Sequence, residues 1–325
     1  MELKFNSDTK HRKQWFTGLS FSHPAKMSLP LQLWIIENYT SEGEVILDPM
    51  SGSGTILVAC SMGRDVIAVE LEQKFCDMMG KNWLKIQQRG CQLGYSMGTC
   101  KIIQGDARNL EGVLADKIIT SPPYAEMMQT PAHSRDDEFG QGKDRQYSND
   151  ASNIGNLPYG AIDKIVSSPP YEASVTGKSG IDWTKATRGA KEGWKPRDRT
   201  KEPSHEHLAG QGQPFNYSED NDNIGNLKSD TYLEAMLQVY RQCYKVLKSG
   251  GLMILVTKNF LREQQEIRLD TDTIRLCEQA GFTFKERHYR RLPVQSFWRV
   301  IYAKKYPDAP VLDKEDVLVF EKAEL

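Results

Sequence analysis

The sequence predicts an α/β chain: a mostly parallel, twisted sheet with helices on both faces and an antiparallel hairpin near the C-terminus. Three observations predict it. Short apolar strands alternate with helix-patterned segments over the first 110 residues, regular structure resumes at Tyr232, and two strand-like runs flank Pro293.

Taken in order, Leu31 to Tyr39 reads as a helix and Val45 to Asp48 as a short buried strand. Ile56 to Met62 reads as a helix, Asp65 to Glu70 as a strand, Gln73 to Arg89 as a long helix, and Lys101 to Gln104 and Asp116 to Thr120 as further strands. From about Ala125 to Ser229 the chain is polar, rich in Gly, Ser, Asn and Asp, and nearly without periodicity. A stretch of that length inside a compact domain points to a functional insert or to disorder. In Tyr232 to Leu247 apolar residues recur at helical spacing, and Ser249-Gly250-Gly251 reads as the stop of that helix. Leu252 to Thr257 is a buried strand, Thr271 to Gln279 a helix stopped by Gly281, and Phe282 to Tyr289 with Ser296 to Ala303 the closing hairpin. The expected organisation is a first half over 1–124, an insert over 125–229, a second half of the sheet over 230–306 and a tail over 307–325.

Composition narrows the function classes. With 42 Lys+Arg against 43 Asp+Glu, the 325-residue chain is no uniformly basic DNA binder, although a local basic surface remains open. No apolar run approaches the roughly 18 residues of a membrane span. The polar start, Met1 to Gln14, lacks a signal-peptide core, so a cytoplasmic protein is expected. Six cysteines without CxxC spacing read as free thiols rather than disulfides or a zinc site. His205-Glu-His207 is the nearest approach to a metal constellation, and no metal is expected there.

Asp48-Pro-Met-Ser-Gly-Ser-Gly-Thr55 lies between a predicted strand and a predicted helix. Glycines there let the backbone turn tightly and approach a bound nucleotide; a tight turn with no ligand is the plainer reading. Glu70 ends the next strand, 22 residues beyond Asp48, where an acid can accept hydrogen bonds from ribose hydroxyls. Asp106 follows the third strand and can accept from a purine's exocyclic amine. Singly, these acids would be caps or solvated loop residues; with the glycine loop they favour an adenosine-containing cofactor.

Ser121-Pro122-Pro123-Tyr124 follows an apolar strand directly. Two prolines fix φ and remove two donors, which leaves rigidly aimed carbonyls, and the tyrosine ring offers a stacking face for a flipped base. A proline-stiffened turn with a buried tyrosine is the alternative. The element occurs twice: Asp116-Lys-Ile-Ile-Thr-Ser-Pro-Pro-Tyr124 recurs as Asp163-Lys-Ile-Val-Ser-Ser-Pro-Pro-Tyr171. Asn153-Ile-Gly-Asn-Leu157 downstream likewise recurs as Asn223-Ile-Gly-Asn-Leu227.

In this order the motifs resemble those of the S-adenosylmethionine-dependent DNA amino-methyltransferases, the N4-cytosine/N6-adenine DNA methylases. The resemblance covers roughly 21–124 and 228–303. It implies a Rossmann-like methyltransferase fold, S-adenosyl-L-methionine as cofactor, double-stranded DNA as partner and a cognate restriction endonuclease as a further one. It implies cofactor contacts from Asp48, Pro49, Ser51, Gly52, Ser53, Gly54, Thr55, Glu70 and Asp106. His23-Pro24-Ala25-Lys26 resembles the segment that closes over the cofactor's methionine end, so His23, Pro24 and Lys26 join that set. Serine in both Ser-Pro-Pro-Tyr copies favours N4 of cytosine over N6 of adenine by the family's pattern. RNA as substrate, and a nucleic-acid-binding protein without turnover, are the rival readings. Methylation at carbon 5 would need a cysteine nucleophile, usually in a Pro-Cys pair, and the chain contains none.

One strand slot beside the cofactor can hold one copy. The first, Ser121, Pro122, Pro123 and Tyr124, has the expected short spacing after Asp106 and is preferred; Ser168, Pro169, Pro170 and Tyr171 are the alternative. Between Glu172 and Pro203, eight Lys/Arg and two tryptophans suit phosphate contact and target recognition. The candidates are Trp183, Lys185, Arg188, Lys191, Trp194, Lys195 and Arg197; a mobile surface loop is the alternative. Lys285, Arg287, Arg290 and Arg291 form a second basic cluster, placed either on DNA or in solvent.

Overall fold

The computed structural model of the chain describes residues 1–23, 26–110, 162–170, 223, 224, 227, 229–262, 264–292, 304 and 306–324. Several expectations lie outside the described residues: the strands at 116–120 and 296–303, the first copy (Ser121, Pro122, Pro123, Tyr124), Pro24 and Tyr171. The same holds for the insert residues Trp183, Lys185, Arg188, Lys191, Trp194, Lys195 and Arg197.

The strands are β1 (Glu2–Lys4), β2 (Val45–Asp48), β3 (Asp65–Glu70), β4 (Cys100–Gln104), β5 (Ile162–Ser167), β6 (Leu247–Thr257), β7 (Phe260–Arg262), β8 (Gln265–Ile267), β9 (Thr283–Arg291) and β10 (Lys314–Glu321). The α-helices are α1 (Thr9–Trp15), α2 (Leu29–Tyr39), α3 (Gln73–Arg89), α4 (Ser229–Val246) and α5 (Leu269–Gln279). Thr55–Met62 forms a 3-10 helix rather than the expected α-helix. The 8-stranded sheet has the order β1-β9-β10-β6-β5-β2-β3-β4, and β7 pairs with β8 in a separate hairpin.

From β2 the chain runs outward through β3 and β4, then returns to the other side of β2 with β5 and β6. All of these neighbours are parallel. Such a reversal opens a crevice at the carboxyl ends of the strands, where ligands of open α/β sheets bind. Alternate residues feed two cores, as a period of two requires. Leu47, Ile67, Ile165, Leu255 and Leu318 face α4 and α5, whereas Ile46, Val66, Val166, Ile254 and Val317 face α2 and α3.

Polar ties hold β5 beside β2. Asp163 Oδ2 accepts the Val45 N–H at 2.8 Å, Asp163 Oδ1 lies 2.6 Å from Lys248 Nζ, and Lys164 Nζ lies 2.9 Å from Glu44.

Two expectations about the C-terminal half are corrected. Residues 314–321, read as tail, form β10, inserted antiparallel between β6 and β9. Ser249-Gly250-Gly251 does not stop the helix. It lies within β6, with Gly250 at φ +73° and a register shift against β5. Helix α4 is instead closed by Lys322, whose Nζ donates to the Tyr244 and Leu247 carbonyls at 2.7 Å. A cation there satisfies orphan carbonyls at the negative end of the helix. The polar start also contributes structure, since β1 pairs in parallel with β9 at the sheet's edge.

Candidate active site

The glycine loop leaves β2 at Asp48 and is held by its own backbone. Ser51 N–H donates to the Val69 carbonyl at 3.0 Å, Ser51 Oγ to the Asp48 carbonyl at 2.8 Å, and Gly54 N–H to the Ser51 carbonyl at 2.8 Å. Gly52 has φ +51°, and a Cβ there would come within 2.8 Å of the His23 ring. Glycine is therefore required twice, by conformation and by space. Gly54, at φ +73°, differs from its expected role: a Cβ there would meet Met79 at 2.7 Å, so it packs the loop onto α3 and is not among the cavity's lining.

Glu70, at the end of β3, turns its carboxylate onto the loop. Oε2 accepts the Gly52 N–H at 2.9 Å, and Oε1 accepts the Glu72 N–H at 3.0 Å. Burial raises its pKa against the pull of those N–H groups. Asp48 is buried, and that burial pushes its carboxyl up to about 7, opposed by the Ser167 hydroxyl and the Met50 N–H and assisted by the Glu70 charge. Asp106 is gripped by Arg108, whose Nε lies 2.9 Å from Oδ2 and whose backbone N–H donates to Oδ1 at 2.8 Å.

These groups line one cavity. Of the expected cofactor residues, His23, Lys26, Asp48, Pro49, Ser51, Gly52, Ser53, Thr55, Glu70 and Asp106 all line it. Ser168 and Pro170 line the same cavity, because β5 delivers them at its carboxyl end next to β2. Among the described residues, the strand between β2 and β6 is the one that leads into the second copy; Ser121, Pro122, Pro123 and Tyr124 lie outside the described residues. Pro169 is buried and does not line the cavity. The Pro170 carbonyl accepts from Tyr232 Oη on α4 at 2.8 Å, which fixes the diproline corner. Asn223 and Ile224, from the second copy of the Asn-Ile-Gly-Asn element, also line the wall. Asn223 Nδ2 donates to Glu72 Oε1 at 3.0 Å.

Sequence reasoning missed several supports. Asn82 is fully buried on α3: its Nδ2 donates to the Ser53 carbonyl at 2.9 Å, and its Oδ1 accepts from the Thr17 N–H at 2.9 Å and the Thr17 hydroxyl at 2.7 Å. Arg12 is buried, paired with Asp8 at 3.1 Å, and donates to Thr55 Oγ1 at 3.1 Å and to the Met27 carbonyl. The only sequence signal was a polar residue at an inward helical position. The basic cluster on β9 is ion-paired: Lys285 with Glu321, Arg287 with Asp270, Arg290 with Glu315 and Arg291 with Glu2. No helix among the described residues is long and apolar enough to cross a membrane. The six cysteines form no disulfide among the described residues.

Strand order and site together define a Rossmann-like α/β fold with a crevice at the carboxyl ends of its strands. Residues 3–81 match the N6/N4 methyltransferase family, described as DNA methylase. Over 91 residues the chain is 30% identical to the orphan methyltransferase M.BamHII of Bacillus amyloliquefaciens, covering 27% of this chain and 34% of that relative. The chain thus spans about a third of the length of the curated relative it matches. Among solved structures, a SAM-dependent methyltransferase from Methanosarcina mazei superposes with a TM-score of 0.42 at 11% identity, covering 90% of this chain and 98% of that one. TrmN from Thermus thermophilus gives 0.40 at 13%, covering 97% and 53%.

The cofactor expected of this class is S-adenosyl-L-methionine, and the residues present fit it. Gly52 leaves room beside His23, and Glu70 ends β3, where an acid can accept hydrogen bonds from ribose hydroxyls.

Proposed function

We propose that the protein transfers a methyl group from S-adenosylmethionine to an exocyclic amine of a DNA base, N4 of cytosine being the preferred target. The observation that carries this reading is the shared cavity: the glycine loop and a Ser-Pro-Pro corner open onto one space. An exocyclic amine is a poor nucleophile because its lone pair is delocalised into the ring. The Ser168 hydroxyl, which lines the cavity, accepts a hydrogen bond from the amine and returns electron density to nitrogen as it attacks the sulfonium methyl. Alignment and charge stabilisation suffice, with no covalent enzyme intermediate. The base must leave the duplex to reach the corner. Serine at position 168 supports cytosine, by the family's pattern. A cognate restriction endonuclease is the partner that such methylation would protect DNA against.

Labelled methyl transfer to duplex DNA and to RNA, followed by nucleoside mass spectrometry, tests the reaction, with N4-methylcytosine in DNA expected. Methyl appearing on adenine N6 or in RNA would move the assignment to that rival, and cofactor binding without transfer would favour a non-catalytic binder. Ser168→Ala is expected to reduce transfer at least 10-fold, with Ser121→Ala close to wild type; the reverse ranking would return the site to the first copy.

A further inference from the structure

Gln32 lies in the first turns of α2, where its backbone N–H donates to the Ser28 carbonyl at 2.9 Å. Its side chain is 1% exposed and lines the cavity beside His23, Lys26 and Met27. Its amide nitrogen is buried and makes no hydrogen bond among the described residues. Leu31, Ile35 and Ile36 around it are fully buried and apolar, so packing alone would be served better by leucine or methionine. An orphaned buried amide is costly, and such a group calls for an explanation beyond the fold.

The wall around Gln32 differs in charge from the strand ends. Lys26 lines it, and Arg12 lies buried behind it, on the Met27 carbonyl and Thr55, with Asp8 as its counter-ion. The strand ends bring Asp48 after β2, Glu70 at the end of β3 and Asp106 after β4 to the same cavity. A ligand with hydroxyls at one end and a carboxylate at the other is thereby oriented, the carboxylate toward α2. We infer that Gln32 is a binding residue for the amino-acid end of the cofactor, its buried amide donating to the α-carboxylate. The inference rests on the cofactor reading above.

Calorimetric titration of the full chain with S-adenosylhomocysteine and with its decarboxylated analogue tests it, using Gln32→Leu and Gln32→Met. Both variants are expected to bind S-adenosylhomocysteine about 10- to 100-fold more weakly, as for loss of one hydrogen bond to a charged group, and the decarboxylated analogue as wild type does. Their ligand-free melting temperatures are expected to equal or exceed that of wild type, because an unsatisfied donor is removed. Equal weakening toward both ligands, wild-type affinity for S-adenosylhomocysteine, or a lowered ligand-free melting temperature in both variants would overturn the inference. If wild type binds neither ligand, the cofactor reading itself fails, and this inference with it.

Discussion

Asp48 is the residue whose replacement most directly tests the electrostatics of this site. It is fully desolvated at the carboxyl end of β2, and burial lifts its carboxyl from an ordinary value near 4 to about 7. Between those values the unfolded chain has released the proton that the folded chain retains, so stability falls as pH rises from about 4 to 7. Each tenfold displacement in proton affinity corresponds to about 1.4 kcal/mol, which puts the penalty above pH 7 at about 4 kcal/mol as an upper bound. Asp48→Asn keeps the shape and an acceptor for the Met50 N–H, 3.2 Å away, while abolishing the charge. Urea denaturation followed by circular dichroism is expected to show the variant more stable than wild type by about 2–4 kcal/mol at pH 8, and by about 1 kcal/mol at pH 5. Equal stability differences at the two pH values, or destabilisation at both, would refute the reasoning. The gain should come with weaker binding of a sulfonium ligand, since the charge that costs stability is the one that attracts a cation.

Other outcomes follow from the same geometry. Gly52→Ala places a side chain at φ +51° and 2.8 Å from the His23 ring; calorimetry should show cofactor affinity down more than 10-fold, with about 1–2 kcal/mol lost from stability in a chemical melt. Asn82→Leu strands the Ser53 carbonyl and the Thr17 N–H and is expected to cost about 2–4 kcal/mol in urea denaturation. Tyr232→Phe removes the hydrogen bond to the Pro170 carbonyl; methyl-transfer kinetics should show a lower kcat while titration shows unchanged cofactor affinity, and stability should fall by about 1 kcal/mol.

Much of the cofactor half was legible in the chain because its signals are local. A strand of four apolar-patterned residues, a glycine turn and an acid at the next strand's end are each specified within a few residues, and the described structure places Asp48, Gly52 and Glu70 as those patterns require. Gly54 shows the limit of such reading. Positive φ could be expected for it, but its position against Met79 depends on where α3 packs. Ser249-Gly250-Gly251 shows a second limit. Glycines that would serve as a helix stop instead accommodate a register shift in β6, because Lys322 reaches the helix carbonyls from 75 residues away or more.

Local pattern, then, sufficed for the class of fold and for the tight glycine turn that follows β2. It could not choose between two corners, because both copies carry the same Asp-Lys-Ile start and the same apolar strand. Pairing between distant segments holds β5 and the second corner in place: Asp163 on Val45 and Lys248, Lys164 on Glu44, and Pro170 under Tyr232. Likewise β10 and Asn82 acquire their roles from partners far along the chain, and such contacts leave no periodicity or spacing to be read in advance.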